Sequence, residues 1–311
     1  MRIRPADFHR QSRPPRSSLP PSPFHSRCRR SWAGRSPCTV WQGRPKPDRN
    51  AERTGRPKIQ MTGHEAAAAR LQRWYVEELQ QLLRPEVLAS MDETPSMNQR
   101  QARALIRHAR ERGPAVYEGR DETTWIWSDL HLGDMGTIMA FDRPFEKPYE
   151  MDHVLIEAWC KAAEADDTTI CLGDVSVDGC LREHHQERWE QAPGAKWLVL
   201  GNHDVDPVNE KRNVTVHRTA VTVFAPGDPP LALTHVPLMQ VPHGWVNVHG
   251  HIHNQASPTR HRHISVTVEH LRYRPARLSD IRRLARRLLE GRDVPGRNTR
   301  ERLDIVAATM P

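Results

Sequence analysis

Trp125-Ile126-Trp127-Ser128-Asp129-Leu130-His131 decides the fold: an apolar run that ends on a carboxylate and an imidazole. Four later segments repeat the design. Thr169-Ile170-Cys171-Leu172 runs into Gly173-Asp174, and Trp197-Leu198-Val199-Leu200 runs into Gly201-Asn202-His203-Asp204. Leu231-Ala232-Leu233 leads to Thr234-His235, and Val246-Asn247-Val248 leads to Gly250-His251-Ile252-His253. Short apolar, β-rich runs closed by Gly or a polar residue read as buried strands. In a sheet covered by helices, ligands collect at the carboxyl ends of strands. Five such strands on one sheet edge would bring Asp129 and His253 into one pocket. Carboxylates, imidazoles and one amide without a thiolate are the ligand set of a hard-to-borderline divalent metal.

Each segment alone has a plainer reading. Asp129 and Asp174 suit the turns that follow strands, as does Asn202-His203-Asp204. His251 and His253 also fit one face of a strand without a metal, and His249 shares that face by period two. The order and the strand before each segment make the set specific. His249 matches no signature position and reads as structural or as a support behind the ligands; His184-His185 in a polar helical run and His261 and His263 in an Arg-rich loop read as solvated.

The series Asp129-x-His131, Gly173-Asp174, Gly201-Asn202-His203-Asp204, His235, Gly250-His251-x-His253 resembles the calcineurin-like metallophosphoesterases over roughly residues 124–270. Every signature position is filled. The resemblance implies an α/β fold, the αββα four-layer sandwich of two β-sheets face to face with helices outside. It implies one metal held by Asp129, His131, Asp174 and His253, and a second held by Asp174, Asn202, His235 and His251. Asp174 would bridge the pair, while His203 would handle a proton over the substrate, oriented by Asp204. Phe141-Asp142-Arg143-Pro144-Phe145 also resembles a small bacterial and phage branch of phosphoesterases, which often carries His where this chain has Asp134.

The chemistry asks for these residue types independently. Anionic oxygens of a phosphate ester repel nucleophiles, and water is a poor nucleophile at neutral pH. Two cations about 3.5–4 Å apart clamp those oxygens and deprotonate a water between them. A shared carboxylate holds two cations that close, and neutral imidazoles and an amide complete the shells without cancelling their charge. The expected function is therefore hydrolysis of a phosphomonoester or phosphodiester, the partner being a small phosphorylated substrate or nucleotide. Manganese is the favoured metal, and iron or zinc suits the same shells.

A nuclease of the same fold is the rival enzyme. Residues 61–271 carry 20 Lys and Arg against 30 Asp and Glu, a poor footprint for a long polyanion. The Arg-rich segment 272–302, at net +7, offers a local basic patch. A non-catalytic scaffold is the rival from another class, and the intact ligand series argues against it.

The formal charge of +8 needs dividing before it means anything. Residues 1–60 hold 15 Lys and Arg against Asp7, Asp48 and Glu52, so the basicity belongs to this segment. It is rich in Pro, Ser and Arg without apolar periodicity, and disorder is expected. Met61 opens a more ordinary sequence, and translation starting there is one account of the tail. A targeting peptide lacks its apolar region here. Gly43-Arg44-Pro45-Lys46 and Gly55-Arg56-Pro57-Lys58 partly resemble AT-hook peptides, whose Arg suits narrow minor grooves. A chain starting at Met61 should fold, bind metal and turn over a small diester as the full chain does. Loss of that turnover on truncation would show the boundary to be misplaced, whereas an AT-hook would lose only salt-sensitive DNA binding.

The five cysteines form no Cys-x-x-Cys pair, which fits a reducing, cytoplasmic setting, and no run reaches membrane-spanning length. The expected order is a basic tail (1–60), a helical extension (61–115), the phosphoesterase domain (120–275), and a C-terminal helix and mobile tail (276–311). Apolar spacing places helices at Glu65–Leu83, Asn98–Arg112, Tyr149–Ala165, Asp178–Gln191 and Leu278–Glu290. Ile264–Val268 alternates as a half-buried strand.

Overall fold

The computed structural model describes residues 62–81, 83, 97–176, 187, 189–204 and 214–309. The expectations for the basic tail, its Gly-Arg-Pro segments, His184-His185 and most of the 178–191 helix lie outside these residues. Helix α1 (Gly63–Gln81) buries Leu71, Tyr75 and Leu79, the stripe its spacing promises. Helix α2 (Gln99–Arg112) opens with a capping box: the Asn98 side chain accepts from the Gln101 amide at 3.0 Å, and Gln101 returns the bond to the Asn98 amide. Strand β1 (Val116–Tyr117) follows, and then β2 (Thr124–Trp127), buried along its whole length. A short helix α3 (Met135–Ala140), capped by Asp134, precedes α4 (Pro148–Ala162), which has Pro in its first turn where its missing N–H costs nothing.

The remaining strands are β3 (Thr168–Cys171), β4 (Ala195–Val199), β5 (Val214–Arg218), β6 (Ala220–Val223), β7 (Leu231–Thr234), β8 (Val246–His249), β9 (His263–Ser265) and β10 (Ala276–Arg277). Helices α5 (Leu278–Leu289) and α6 (Thr299–Ala308) close the chain. One sheet runs β10-β2-β3-β4-β5, parallel except for β10. The other runs β1-β6-β7-β8-β9, with β6–β7 the antiparallel pair. Both are mixed sheets flanked by helices, the α/β sandwich that the resemblance implied.

The ligand-bearing strands therefore divide between two sheets rather than sharing one edge. β2, β3 and β4 belong to the first sheet, and β7 and β8 to the second. A parallel bridge between Ser128 and Thr267 joins the sheets just beyond β2. One apolar cluster spans both, from Leu71 and Leu105 of the helical extension to Ile170, Leu233 and Leu284. Within it Trp127, Trp159 and Trp189 stack edge to face at 5.3 and 5.0 Å, fixing α4 on β2.

Three expectations need correction. His263 is buried, not solvated: its ring reaches Thr259 Oγ1 at 3.0 Å and the Leu238 carbonyl at 2.7 Å. The stretch from His263 to Val268 is buried on both faces rather than alternating, because it lies beside β8 and under α6, whose Thr299 hydroxyl donates to the Ser265 carbonyl at 2.6 Å. Of the expected mobile tail at 292–311, residues 292–309 are described, and they are not simply a tail. Asn298 caps α6, which buries Leu303 and Val306 and packs on α5.

Candidate metal centre

Strand pairing continues past the strands and carries the site residues with it. Asp129 N donates to the Gly173 carbonyl at 3.0 Å, and His131 N to the Asp174 carbonyl at 3.0 Å, so the two loops lie side by side. Gly250 N donates to the His235 carbonyl at 2.9 Å and ties the loops after β7 and β8 in the same way. The His251 amide then reaches across the sheets to the Asp129 carboxylate, at 3.1 and 3.0 Å to its two oxygens. Asp129, His131, Asp174, His251 and His253 all have positive φ, between 49° and 71°. L residues seldom accept that conformation, Asp and His more readily than most, and it concentrates at functional sites. Glycines make room: a Cβ on Gly201 would collide with the Asp174 carboxylate, and one on Gly250 with Ser128 and Asp129.

Two groups result, and in each the offered atoms lie within 4.8 Å of one another: Asp129, His131 and His253, and Asp174, His235 and His251. In the second, His235 Nδ1 donates to the Leu172 carbonyl at 2.7 Å, which turns Nε2 inward. Around that nitrogen stand Asn202 Oδ1 at 3.0 Å, His251 Nδ1 at 3.2 Å and Asp174 Oδ2 at 3.3 Å. Acceptor atoms facing one another call for a positive charge between them. In the first group His253 Nε2 lies 3.8 Å from Asp129 Oδ1, and both ring nitrogens of buried His131 lack a hydrogen-bond partner among the described residues. Asp174 Oδ2 is also 3.6 Å from His131 Nε2, so this one oxygen faces a histidine of each group. The donor set, geometry and orphaned nitrogens fit divalent cations.

Electrostatics agree. Burial opposes charge on Asp174, but His235, His203 and His131 outweigh it and hold the carboxyl well below the usual range. Burial also works against a proton on His235, yet Asp174 and Asp129 push it up to about 9. His251 is pushed down to about 3 by burial and by the charge on His235. The proton on His235 thus occupies the place of a cation and must leave when one binds. Metal affinity of this second group should rise about tenfold per pH unit from neutrality toward pH 9, with roughly one proton released as that group takes up its metal. For the metal-free fold the sign reverses. A folded-state pKa above the ordinary 6.5 adds stability below pH 6.5 that is lost as pH climbs toward about 9. Calorimetric titration of the chelator-treated protein in buffers of different ionisation enthalpy checks the first, and its melting temperature across the same range checks the second.

His203 sits half-buried beside both groups, its ring 5.1 Å from that of His131 and its amide donating to Asp174 Oδ1 at 2.9 Å. Among the described residues its Nδ1 is buried without a hydrogen-bond partner. The Asp204 carboxylate accepts the amides of Asp174 at 2.7 Å and Gly201 at 3.0 Å, fastening two ligand loops together. Asp134 lies 3.6 Å from His131 Nδ1 and caps α3 through the Gly136 amide. His249 is held by the Gly250 carbonyl and Ser257 and stands outside both groups.

Sequence reasoning missed two residues. Arg143, inside the Phe141–Phe145 stretch, has a fully buried side chain, and its guanidinium donates to the carbonyls of Asp129 at 2.7 Å and Leu130 at 2.9 Å. It also meets Glu269 Oε1 at 2.7 Å, the oxygen that accepts from His253 Nδ1 at 3.0 Å. Burial opposes the Glu269 charge, but Arg143 and His253 hold the carboxyl at about 2. Phe141 stacks on the His253 ring at 3.6 Å. The helical extension also reaches the site, since the Val236 amide beside His235 donates to Tyr75 Oη at 3.3 Å.

No family model matches the chain. It is similar to the Gene 66 protein of Mycobacterium phage L5, at 29% identity over 170 residues covering 45% of this chain and 82% of that protein. It is 37% identical to the Gene 66 protein of Mycobacterium phage D29 over 81 residues, 26% of this chain, and spans 39% of that relative's length. Among solved structures, the protein of unknown function AQ665 from Aquifex aeolicus aligns with a TM-score of 0.44 at 22% identity, over 51% of this chain and 96% of that one. Pseudomonas putida nuclease MPE aligns with a TM-score of 0.28 at 18% identity, over 42% and 62%. Among the described residues, no helix is long and apolar enough to cross a membrane.

Proposed function

We propose that this chain is a calcineurin-like dinuclear metallophosphoesterase that hydrolyses a phosphomonoester or phosphodiester. The observation that carries the reading is the position of Asp174 Oδ2, which faces a histidine of each group. Asp129, His131 and His253 would hold one cation, and Asn202, His235 and His251 the other, with Asp174 shared. When bound, such a pair supplies positive charge for the phosphoryl oxygens and lowers the pKa of water to near neutral.

The chain's own residues do the rest. The backbone held by Asp204 and Arg143 fixes the ligand loops before substrate arrives, so little ordering remains to be done. His203, half-buried beside both groups, would carry a proton to the leaving oxygen. A small ester is favoured over a long polyanion. Much of the basic C-terminal segment is already engaged: Arg272 with Glu301, Arg282 with Asp121, Arg286 with Asp228, and Arg300 with the carbonyls of Leu271, Arg274 and Pro275.

The test is a screen of the manganese-loaded protein against a generic phosphomonoester, a phosphodiester, cyclic nucleotides and single-stranded nucleic acid. Metal-dependent turnover of a small ester is expected. Turnover of none of them by metal-loaded protein would overturn the reading, and a preference for nucleic acid would turn it to the nuclease.

A further inference from the structure

The Asp129, His131 and His253 group stands on a buried platform that the ligand series does not include. His253 Nδ1 points away from the group and meets Glu269 Oε1 at 3.0 Å, leaving Nε2 toward Asp129. Behind Glu269, Arg143 binds the same oxygen and the backbone carbonyl of Asp129. One guanidinium therefore anchors both ends of the group, the loop after β2 directly and His253 of the loop after β8 through Glu269, which follows β9. Neither residue offers an atom to the group itself.

Resting on the metal reading above, we propose that Arg143 and Glu269 are positioning residues for one of the two metals, the one taken by Asp129, His131 and His253. Glu269 fixes the His253 tautomer and adds negative charge behind it, which makes Nε2 a stronger donor. Partners of this kind behind a ligating imidazole are worth about 10–100-fold in metal affinity. Arg143 keeps Glu269 in place and pins the Asp129 carbonyl, so its effect passes through both ligands. The second group, held through the Leu172 carbonyl and the loop braced by Tyr75, has no contact with this pair among the hydrogen bonds described.

The proposal predicts an asymmetry that a general structural role does not. Glu269→Gln keeps shape and an acceptor for Nδ1–H but removes the charge, and Glu269→Leu removes both. Arg143→Lys keeps a charge but loses the fork that reaches two loops. Stepwise titration of chelator-treated full-length protein with manganese or cobalt, with metal counted by mass spectrometry, reads each site separately. One of the two metals should weaken about 10-fold in Glu269→Gln and about 100-fold in Glu269→Leu, with Arg143→Lys between them. The other metal should keep its parental affinity, and cobalt absorption should change for one ion only.

Parental affinity for both metals in Glu269→Leu overturns the proposal. So does equal weakening of both metals, or a metal-free melting temperature that falls in Glu269→Gln while its metal affinities stay parental, because either marks a scaffold role. Unmutated protein that takes up no metal overturns the functional reading itself, and the positioning role with it.

Discussion

Asparagine in place of Asp174 is expected to leave the fold intact, abolish simultaneous occupancy by two metals and cut turnover by about 10³-fold or more. The substitution isolates charge from shape. Asn tolerates the positive φ of this position nearly as well as Asp, and its carbonyl oxygen can still accept the His203 amide that Asp174 Oδ1 accepts at 2.9 Å. What disappears is the negative charge between His131 and His235. Without it two cations would repel each other at close range with nothing between them, and metal-supplied stabilisation worth several kcal/mol is lost. At 1.36 kcal/mol per factor of ten, that is the expected drop. Metal counts and rates on the same preparation check the outcome. A variant with two metals and near-parental turnover would show that Asp174 is not the bridge.

Alanine at His203 is expected to do the reverse, retaining both metals and losing roughly 10²–10⁴-fold in rate, the usual size of a general acid–base contribution. The loss should shrink for esters with good leaving groups, which need no proton to depart. His203 is absent from both convergent groups, and its contact with Asp174 is made by the backbone, which alanine preserves. Loss of a metal in this variant would make His203 a ligand. A loss independent of the leaving group would remove its role as proton donor.

What was legible in the sequence was the set of short-range facts. Apolar runs ending on Asp or His, helix spacing such as Leu71-Tyr75-Leu79 and the Asn98 cap are each written within a few residues, and the structure contains them. The division of the ligand strands between two sheets was not legible from spacing, because a strand's sequence reports that it is buried and not which neighbour it pairs with. Glu269 was invisible for a related reason. A single acid after a strand is common, and only the folded chain shows Arg143, 126 positions away, meeting it. Asp204 carried a role that adjacency to His203 did not suggest: its carboxylate accepts two backbone amides and ties two ligand loops together. His263 looked solvated because Arg260 and Arg262 precede it, yet it begins a buried strand.

The left-handed backbone at Asp129, His131, Asp174, His251 and His253 has a consequence for how the molecule divides its free energy. Each such residue costs on the order of 1–3 kcal/mol, a cost met by the packing and hydrogen bonds around it rather than by local preference. Ligand chemistry and backbone shape also act as separate filters on the same positions. Asp and His pass both, whereas a β-branched residue would fail both at once, so drift at these sites is penalised in stability as well as in activity.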